Sequence, residues 1–255
     1  MAEEVLRREN MYFGNLILVN KEYPIKKRFE KSISLIPADF EYPSVFMESK
    51  AASVLTHVFD EICSRDIVPV SGYRTLSEQE QIWEDSLDEN GMDFTRKYVA
   101  LPNHSEHQTG LAIDLGLKSE NIDFIRPDFP YEGVCNDFRK KAAGYGFVER
   151  YQKEKEHITG IAHEPWHFRY VGYPHSVIMG RYEMCLEEYI EKLREYPYEG
   201  KHFCYWHNGH EMEICFVPME SEEKIINLAE NAIYQISGNN VDGFIITMWR
   251  KSYGN

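Results

Sequence analysis

The 255-residue sequence has no apolar run approaching the ~18 residues that a membrane-spanning helix needs. Its longest apolar stretches, such as Phe244–Trp249, are strand-sized. The N-terminus, Met1-Ala2-Glu3-Glu4, lacks a basic segment followed by an apolar one. That argues against a secretory signal and makes the cytoplasm the expected location. The five cysteines (Cys63, Cys135, Cys185, Cys204 and Cys215) are odd in number and include no CxxC pair. Scattered in this way, they read as reduced, buried thiols and not as a disulfide framework. Basic residues are in short supply, since 28 Lys and Arg against 42 Asp and Glu leave a net charge of -14. No basic stripe is available to neutralise phosphates, which excludes nucleic acid as a partner. The acidic excess says little more, because an acidic surface is usually only a solvated one. Internal repeats and low-complexity segments are also lacking. What is present, 43% hydrophobic residues with 17 Tyr and 14 Phe, fits a folded chain with one core, or one core plus a small appendage.

Residues 12–20 predict a short strand. Pro43 and Ser44 open a helix to about Ser64, with Val45, Val54, Leu55, Val58 and Ile62 at helical spacing. Ile67-Val68-Pro69-Val70 is β-like and leads into Ser71-Gly72-Tyr73-Arg74. Thr75 or Ser77 caps the next helix, which carries Ile82, Trp83 and Leu87 and ends near Asn90-Gly91. A strand-like alternation covers 103–117, and a short helix covers Asp137 to Gly146. Glu164 to Val171 is aromatic and β-branched, as a strand should be. Met179 to Glu195 reads as one amphipathic helix. Beyond Tyr196-Pro197-Tyr198-Glu199-Gly200, two β-like runs flank Asn208-Gly209, a strong hairpin signal. Ser221 then caps a helix to about Ile236, and Gly243 to Arg250 forms a last strand. The expected division is therefore 1–199 plus an appended β-β-α-β unit at 200–255.

Two segments carry chemistry: Ser105-Glu106-His107-Gln108-Thr109-Gly110-Leu111-Ala112-Ile113-Asp114, and Glu164-Pro165-Trp166-His167. In a strand, Gly110, Ala112 and Asp114 would share one face and leave room for a metal beside the carboxylate, while Leu111, Ile113 and Leu115 face a core. A bend before the strand would swing His107 towards Asp114. His167 supplies a second imidazole. Two imidazoles and a carboxylate suit Zn²⁺ and leave a fourth position for water. Glu164, three residues before His167, is the expected general base, in a bend enforced by Pro165. The plainer readings carry weight. A lone histidine in an aromatic strand is more often a hydrogen-bonded core or surface residue, and a lone Asp at a strand end usually caps a turn. With ten histidines in the chain, His104 and His163 are rivals to the proposed ligands. Spacing alone leaves the metal site and its rivals level.

The pattern Ser-x-His-x-x-Gly-x-Ala-x-Asp at 105–114, then Glu-x-Trp-His at 164–167, with Ser-Gly-Tyr-Arg upstream at 71–74, resembles the D-alanyl-D-alanine peptidases of the VanY and VanX type. Ala100-Leu101-Pro102 and Trp166-His167-Phe168-Arg169-Tyr170-Val171-Gly172 are similar to the bifunctional VanXY enzymes of glycopeptide-resistant enterococci. The resemblance covers roughly residues 12 to 195 and leaves 200–255 outside.

That resemblance implies an α+β fold in which a small antiparallel sheet, flanked by helices, carries the zinc. It implies His107, Asp114 and His167 as ligands, with His104 and His163 outside the motif. It further implies Glu164 as base, Arg74 as the cation for the oxyanion, and Ser105 as the serine for the substrate carboxylate. Gln79 is a further candidate for that carboxylate, and Ser71 for facing the terminal D-residue. The implied substrates are the dipeptide D-Ala-D-Ala and peptidoglycan precursors ending in it, whose cleavage removes the target of vancomycin. Two other functions fit parts of the pattern: a non-catalytic zinc-containing binding module, and an L-alanyl-D-glutamate endopeptidase. The intact Glu164 and Arg74 weigh against the first, and the match at Trp166–Gly172 against the second. Oligomeric state and the group meeting the dipeptide ammonium stay open, the acids between Glu120 and Asp137 being candidates for the latter.

Overall fold

The computed structural model describes residues 2–26 and 33–250. The chain divides into two compact units, Val19–Cys185 on the one hand and Met1–Leu18 with Leu186–Asn255 on the other. Strand β1 (Ala2–Arg7) opens the chain. Within Val19–Cys185 follow β2 (Leu35–Pro37), β3 (Phe46–Glu48), α1 (Ser49–Ile62), β4 (Ile67–Ser71), α2 (Leu76–Asn90) and α3 (Met92–Tyr98). Then come β5 (Ala112–Leu117), α4 (Gly133–Ala142), β6 (Phe147–Tyr151), α5 (Glu156–Thr159), β7 (Glu164–Tyr170) and α6 (His175–Tyr182). The chain continues through α7 (Leu186–Leu193), β8 (Phe203–His207), β9 (His210–Pro218), β10 (Glu223–Leu228), β11 (Ile233–Gly238) and β12 (Gly243–Arg250). The α+β class expected from the sequence holds. Among the described residues, no helix is long and apolar enough to cross a membrane.

The Val19–Cys185 unit is built on an antiparallel four-stranded sheet ordered β4-β5-β7-β6. Its central strands are buried on both faces. On β5, Ile113 and Leu115 point to the core, as the alternation predicts. On β7, Phe168 packs edge-on against Phe138 of α4 at 4.9 Å and Phe129 at 5.4 Å. Alternation sends His167 and Arg169 to the opposite face, and both are buried. That aromatic cluster fixes β7, and with it the histidine. Helix α1 buries Ala51, Ala52, Leu55, Val58 and Phe59. It begins at Ser49 and not at Pro43-Ser44, because Phe46–Glu48 is drawn into a ladder with Leu35–Pro37 and the Glu48 carboxylate then caps Lys50 and Ala51. Thr75 and Glu78 form the capping box of α2.

His175, at the start of α6, is fully buried, and burial lowers its pKa to about 3. Its ring stays neutral in the folded protein at a pH where the unfolded chain, with an ordinary value near 6.5, takes up a proton. The contribution is complete above about pH 6.5 and is lost as pH falls towards 3, on the order of a few kcal/mol in all. A positive charge at this helix start would add further strain. Urea unfolding at pH 7 and 4.5 is expected to show a steeper loss for the wild type than for His175→Gln. Equal losses would contradict this assignment.

The other unit departs from expectation. The predicted helix at 221–236 is two strands, β10 and β11. Ser221, Glu222 and Glu223 imitate a helix start, but Ile226 and Leu228 are buried while Ile225 and Asn227 are exposed, a period of two. The partner strand β1 pairs from Ala2↔Leu228 to Arg7↔Glu223, so what fixes β10 lies over 200 residues away in sequence. The same pairing moves the division of the chain. Contacts group residues 1–18 and 186–199 with the C-terminal residues, in place of a cut between 199 and 200. Leu16, Ile17 and Leu18 are buried without joining a ladder, so the expected strand at 12–20 is irregular chain, held by Leu16 N–H to Ser237 Oγ (3.0 Å) and Leu18 N–H to Asn239 O (2.9 Å). The single helix expected at 179–195 is interrupted by Glu183, which sits at φ 52°. The Asn208-Gly209 hairpin forms as read, both residues taking positive φ. A sheet ordered β11-β12-β9-β8 and the β1–β10 pair share a core of Leu6, Met11, Val217, Ile226, Phe244 and Ile246.

Candidate active site

Three neighbouring strands deliver the site. Ser71 at the end of β4 pairs with Asp114 on β5, and Asp114 pairs with His167 on β7. His107 comes from a short 3-10 turn, Glu106–Thr109, just before β5. Gly110 ends that turn at φ 69°, and a Cβ there would lie 2.9 Å from the Glu48 amide nitrogen. Gly110 therefore precedes the strand and serves a turn, in place of clearing space for a metal on one face with Ala112 and Asp114. Gly72, just after β4, lies against the Phe46 carbonyl oxygen, which a Cβ would approach to 2.2 Å. Its own carbonyl receives Nδ1 of His107 at 2.7 Å. A carbonyl only accepts, so Nδ1 carries the hydrogen and Nε2 keeps its lone pair.

That Nε2 lies 3.1 Å from Asp114 Oδ2, while Asp114 Oδ1 lies 2.9 Å from His167 Nδ1. One atom from each of His107, Asp114 and His167 falls within 4.8 Å of the others, and all three residues are buried. Burial alone would raise the Asp114 carboxyl, but the two histidines outweigh it and hold it well below the ordinary range. Burial alone would lower His167, yet its hydrogen bonds to Asp114 and Glu106 raise it to about 9. His107 is lowered by burial and by Arg74. Two imidazole nitrogens and a carboxylate oxygen converging on one buried point form a donor set that fits a divalent transition metal. The rivals are engaged elsewhere. His104 Nδ1 meets Asn20 O at 2.6 Å, and His163 stacks on Tyr131 and bonds its hydroxyl at 2.7 Å.

Glu164 is the first residue of β7, paired with Tyr151, and so begins the strand instead of occupying a bend before it. Its Oε2 is 3.9 Å from His167 Nδ1, and burial raises its pKa to about 8 against the pull of His167. Arg74 contacts Asp114 Oδ2 at 3.1 Å through Nη2. Its Nε donates to Ser71 Oγ at 2.9 Å and its Nη1 to Gln79 Oε1 at 3.5 Å. Gln79 also donates to Ala100 O at 2.9 Å. Ser71 and Gln79 hold the arginine, and neither lines the cleft. A cleft opens on the cluster, lined by Arg74, Ser105, Tyr151, Glu164 and Trp166 beside the three metal-ligand candidates. From the 120–137 segment Phe124 and Ile125 reach it, and none of that segment's acids does.

Sequence reasoning missed Glu106, Arg150, Tyr151 and Arg169. The Tyr151 ring lies 4.8 Å from that of His167. Glu106 Oε1 is 2.9 Å from both Arg150 Nε and Arg169 Nη1, and Oε2 is 3.4 Å from His167 Nε2. One signal was available: Arg169 stands two residues beyond His167 and so shares its face of the strand.

Known proteins resemble this chain in sequence and in fold. The family model described as VanY, D-alanyl-D-alanine carboxypeptidase, matches residues 45–173. The chain is 43% identical over 184 residues to the bifunctional D-Ala-D-Ala dipeptidase and carboxypeptidase VanXYC of Enterococcus gallinarum, covering 71% of this chain and 96% of that one. Among solved structures, the vancomycin resistance D,D-dipeptidase VanXYg, in complex with a D-Ala-D-Ala phosphinate analogue, is 52% identical with a TM-score of 0.94, covering 98% of this chain and 99% of that one. A D,D-pentapeptidase VanY from a VanB-type resistance cassette, solved with Zn(II), is 28% identical with a TM-score of 0.56, covering 69% of this chain and 98% of that one. With its three motif blocks inside the matched residues and His107, Asp114 and His167 brought together, this chain belongs to the VanY family of D-alanyl-D-alanine carboxypeptidases.

Proposed function

We propose that the protein is a zinc-dependent D,D-peptidase that cuts the D-Ala-D-Ala bond in the free dipeptide and at the end of peptidoglycan precursors. The observation that carries the reading is the convergence of His107 Nε2, Asp114 and His167 Nδ1 in a cleft that also holds Glu164 and Arg74. A zinc ion on these three residues would supply Lewis acidity and lower the pKa of water at its open position. Glu164, beside the ligands and raised by burial, accepts a proton from the attacking water and returns it to the leaving amine. Arg74, fixed by Ser71, Gln79 and Asp114, presents its guanidinium to the charge developing on the scissile carbonyl oxygen. Ser105, on the cleft wall, bonds the terminal carboxylate of the substrate. Support for the substrate comes from VanXYC, named for both activities, and from VanXYg, solved with the phosphinate analogue. Removing D-Ala-D-Ala ends would deprive vancomycin of its target.

Stereochemistry tests the reading. A pocket shaped around D-methyl groups rejects their mirror placement, so zinc-loaded protein is expected to release D-alanine from D-Ala-D-Ala and from a precursor pentapeptide, and to leave L-Ala-L-Ala nearly untouched. Efficient cleavage of the L,L dipeptide, or of neither D,D substrate, would contradict the proposal.

A further inference from the structure

The strongest unassigned feature is a buried charge cluster behind the metal-ligand candidates. The Glu106 side chain is wholly inaccessible, and those of Arg150 and Arg169 are 1% and 0% exposed. Three buried charges are costly unless each is held by the others. Both guanidinium groups meet the same oxygen, Oε1, at 2.9 Å. They pin the carboxylate and leave Oε2 facing His167 Nε2 at 3.4 Å. The backbone is shaped for this arrangement. The register of β6 against β7 shifts between Glu149 and Tyr151, the stretch that holds Arg150 and lies opposite Pro165–His167.

We propose that Glu106 is a positioning residue for the metal centre: locked by Arg150 and Arg169, it accepts the Nε2 hydrogen of His167 and so leaves Nδ1, the nitrogen that faces Asp114 and the ligand point, as the one that gives up its proton to a metal.

The inference rests on the reading of the site as a zinc centre, and its logic is that of acceptors. A carboxylate flanked by two arginines offers no hydrogen, so the ring nitrogen facing it must supply one. The ring keeps that hydrogen on Nε2, and a metal at the ligand point would displace only the hydrogen that Nδ1 gives to Asp114 in the metal-free protein. The two histidines are thus set by different means, His107 by a backbone carbonyl and His167 by a buried carboxylate. Glutamine at 106 keeps the volume but breaks the logic. If its amide nitrogen faced His167, it would demand a lone pair on Nε2 and push the hydrogen onto Nδ1, where the metal binds. If its oxygen faced His167, the amide nitrogen would face two guanidinium groups with no acceptor.

The test uses full-length protein, zinc alone as ligand, and two readouts. Competition with a chelator of known affinity is expected to show zinc binding to Glu106→Gln weakened by about 10–100-fold, with Glu106→Asp, which keeps the charge, falling between it and the wild type. Nitrogen-15 histidine spectra of the zinc-loaded wild type are expected to show a slowly exchanging hydrogen on Nε2 of His167 and none on Nδ1. Wild-type zinc affinity in folded Glu106→Gln, or a His167 ring with its hydrogen on Nδ1, would overturn the proposal. If Glu106→Gln does not fold, the wild-type ring spectrum alone decides. A wild type that takes up no zinc would instead overturn the metal reading, and this inference with it.

Discussion

Replacing Glu164 by glutamine is expected to leave zinc bound and to cut turnover of D-Ala-D-Ala by about 10²–10⁴-fold. Glutamine fills the same volume but cannot take up a proton at neutral pH. The residue is not one of the three whose ligand atoms converge, and its carboxylate stands 3.9 Å from His167 Nδ1. Binding of the metal should therefore survive while the proton transfer does not. The check is zinc content per chain together with kcat on the dipeptide. Undiminished kcat in zinc-loaded Glu164→Gln would exclude Glu164 as the base.

His107→Ala is expected to fail in the opposite way, losing the metal and the turnover together. It removes the Nε2 donor and also the ring that fills the space between the Gly72 carbonyl and Asp114. Two protein ligands remain, fewer than the three typical of catalytic zinc sites. The fold should persist, because Asp114 still meets Arg74 at 3.1 Å and His167 at 2.9 Å. Zinc analysis, D-alanine release and far-UV circular dichroism separate these effects. A folded His107→Ala protein that kept zinc and activity would remove His107 from the site. The contrast with Glu164→Gln is informative, since one variant parts chemistry from binding and the other abolishes both.

What could be read in the sequence was whatever is encoded locally. The Thr75 cap with Glu78, the Asn208-Gly209 turn and the limits of β12 all depend on residues within a few positions, and they form where the sequence places them. The grouping of His107, Asp114 and His167 was visible as a motif, although spacing alone could not choose between His107 and His104. Only the ladder Ser71↔Asp114↔His167 and the Gly72 carbonyl give the choice a physical reason. What failed depends on distant partners. The stretch 221–236 has a convincing helical start, yet its extended form is set by β1 at the far end of the chain. Ser71 and Gln79 read as substrate contacts because they flank Arg74, and they turn out to face the arginine itself. Glu106 was passed over because a glutamate is by default a solvated residue, and nothing near it in sequence announces two buried arginines from β6 and β7.

The central claim is that metal held by His107, Asp114 and His167 makes this chain a D,D-peptidase. The most direct measurement is D-alanine release from D-Ala-D-Ala by metal-free protein as zinc is added back in measured steps. Activity is expected to be absent at the start, to rise in proportion to bound zinc, and to level off at one zinc per chain. Full release by the metal-free protein, or no release at one bound zinc per chain, would contradict the account.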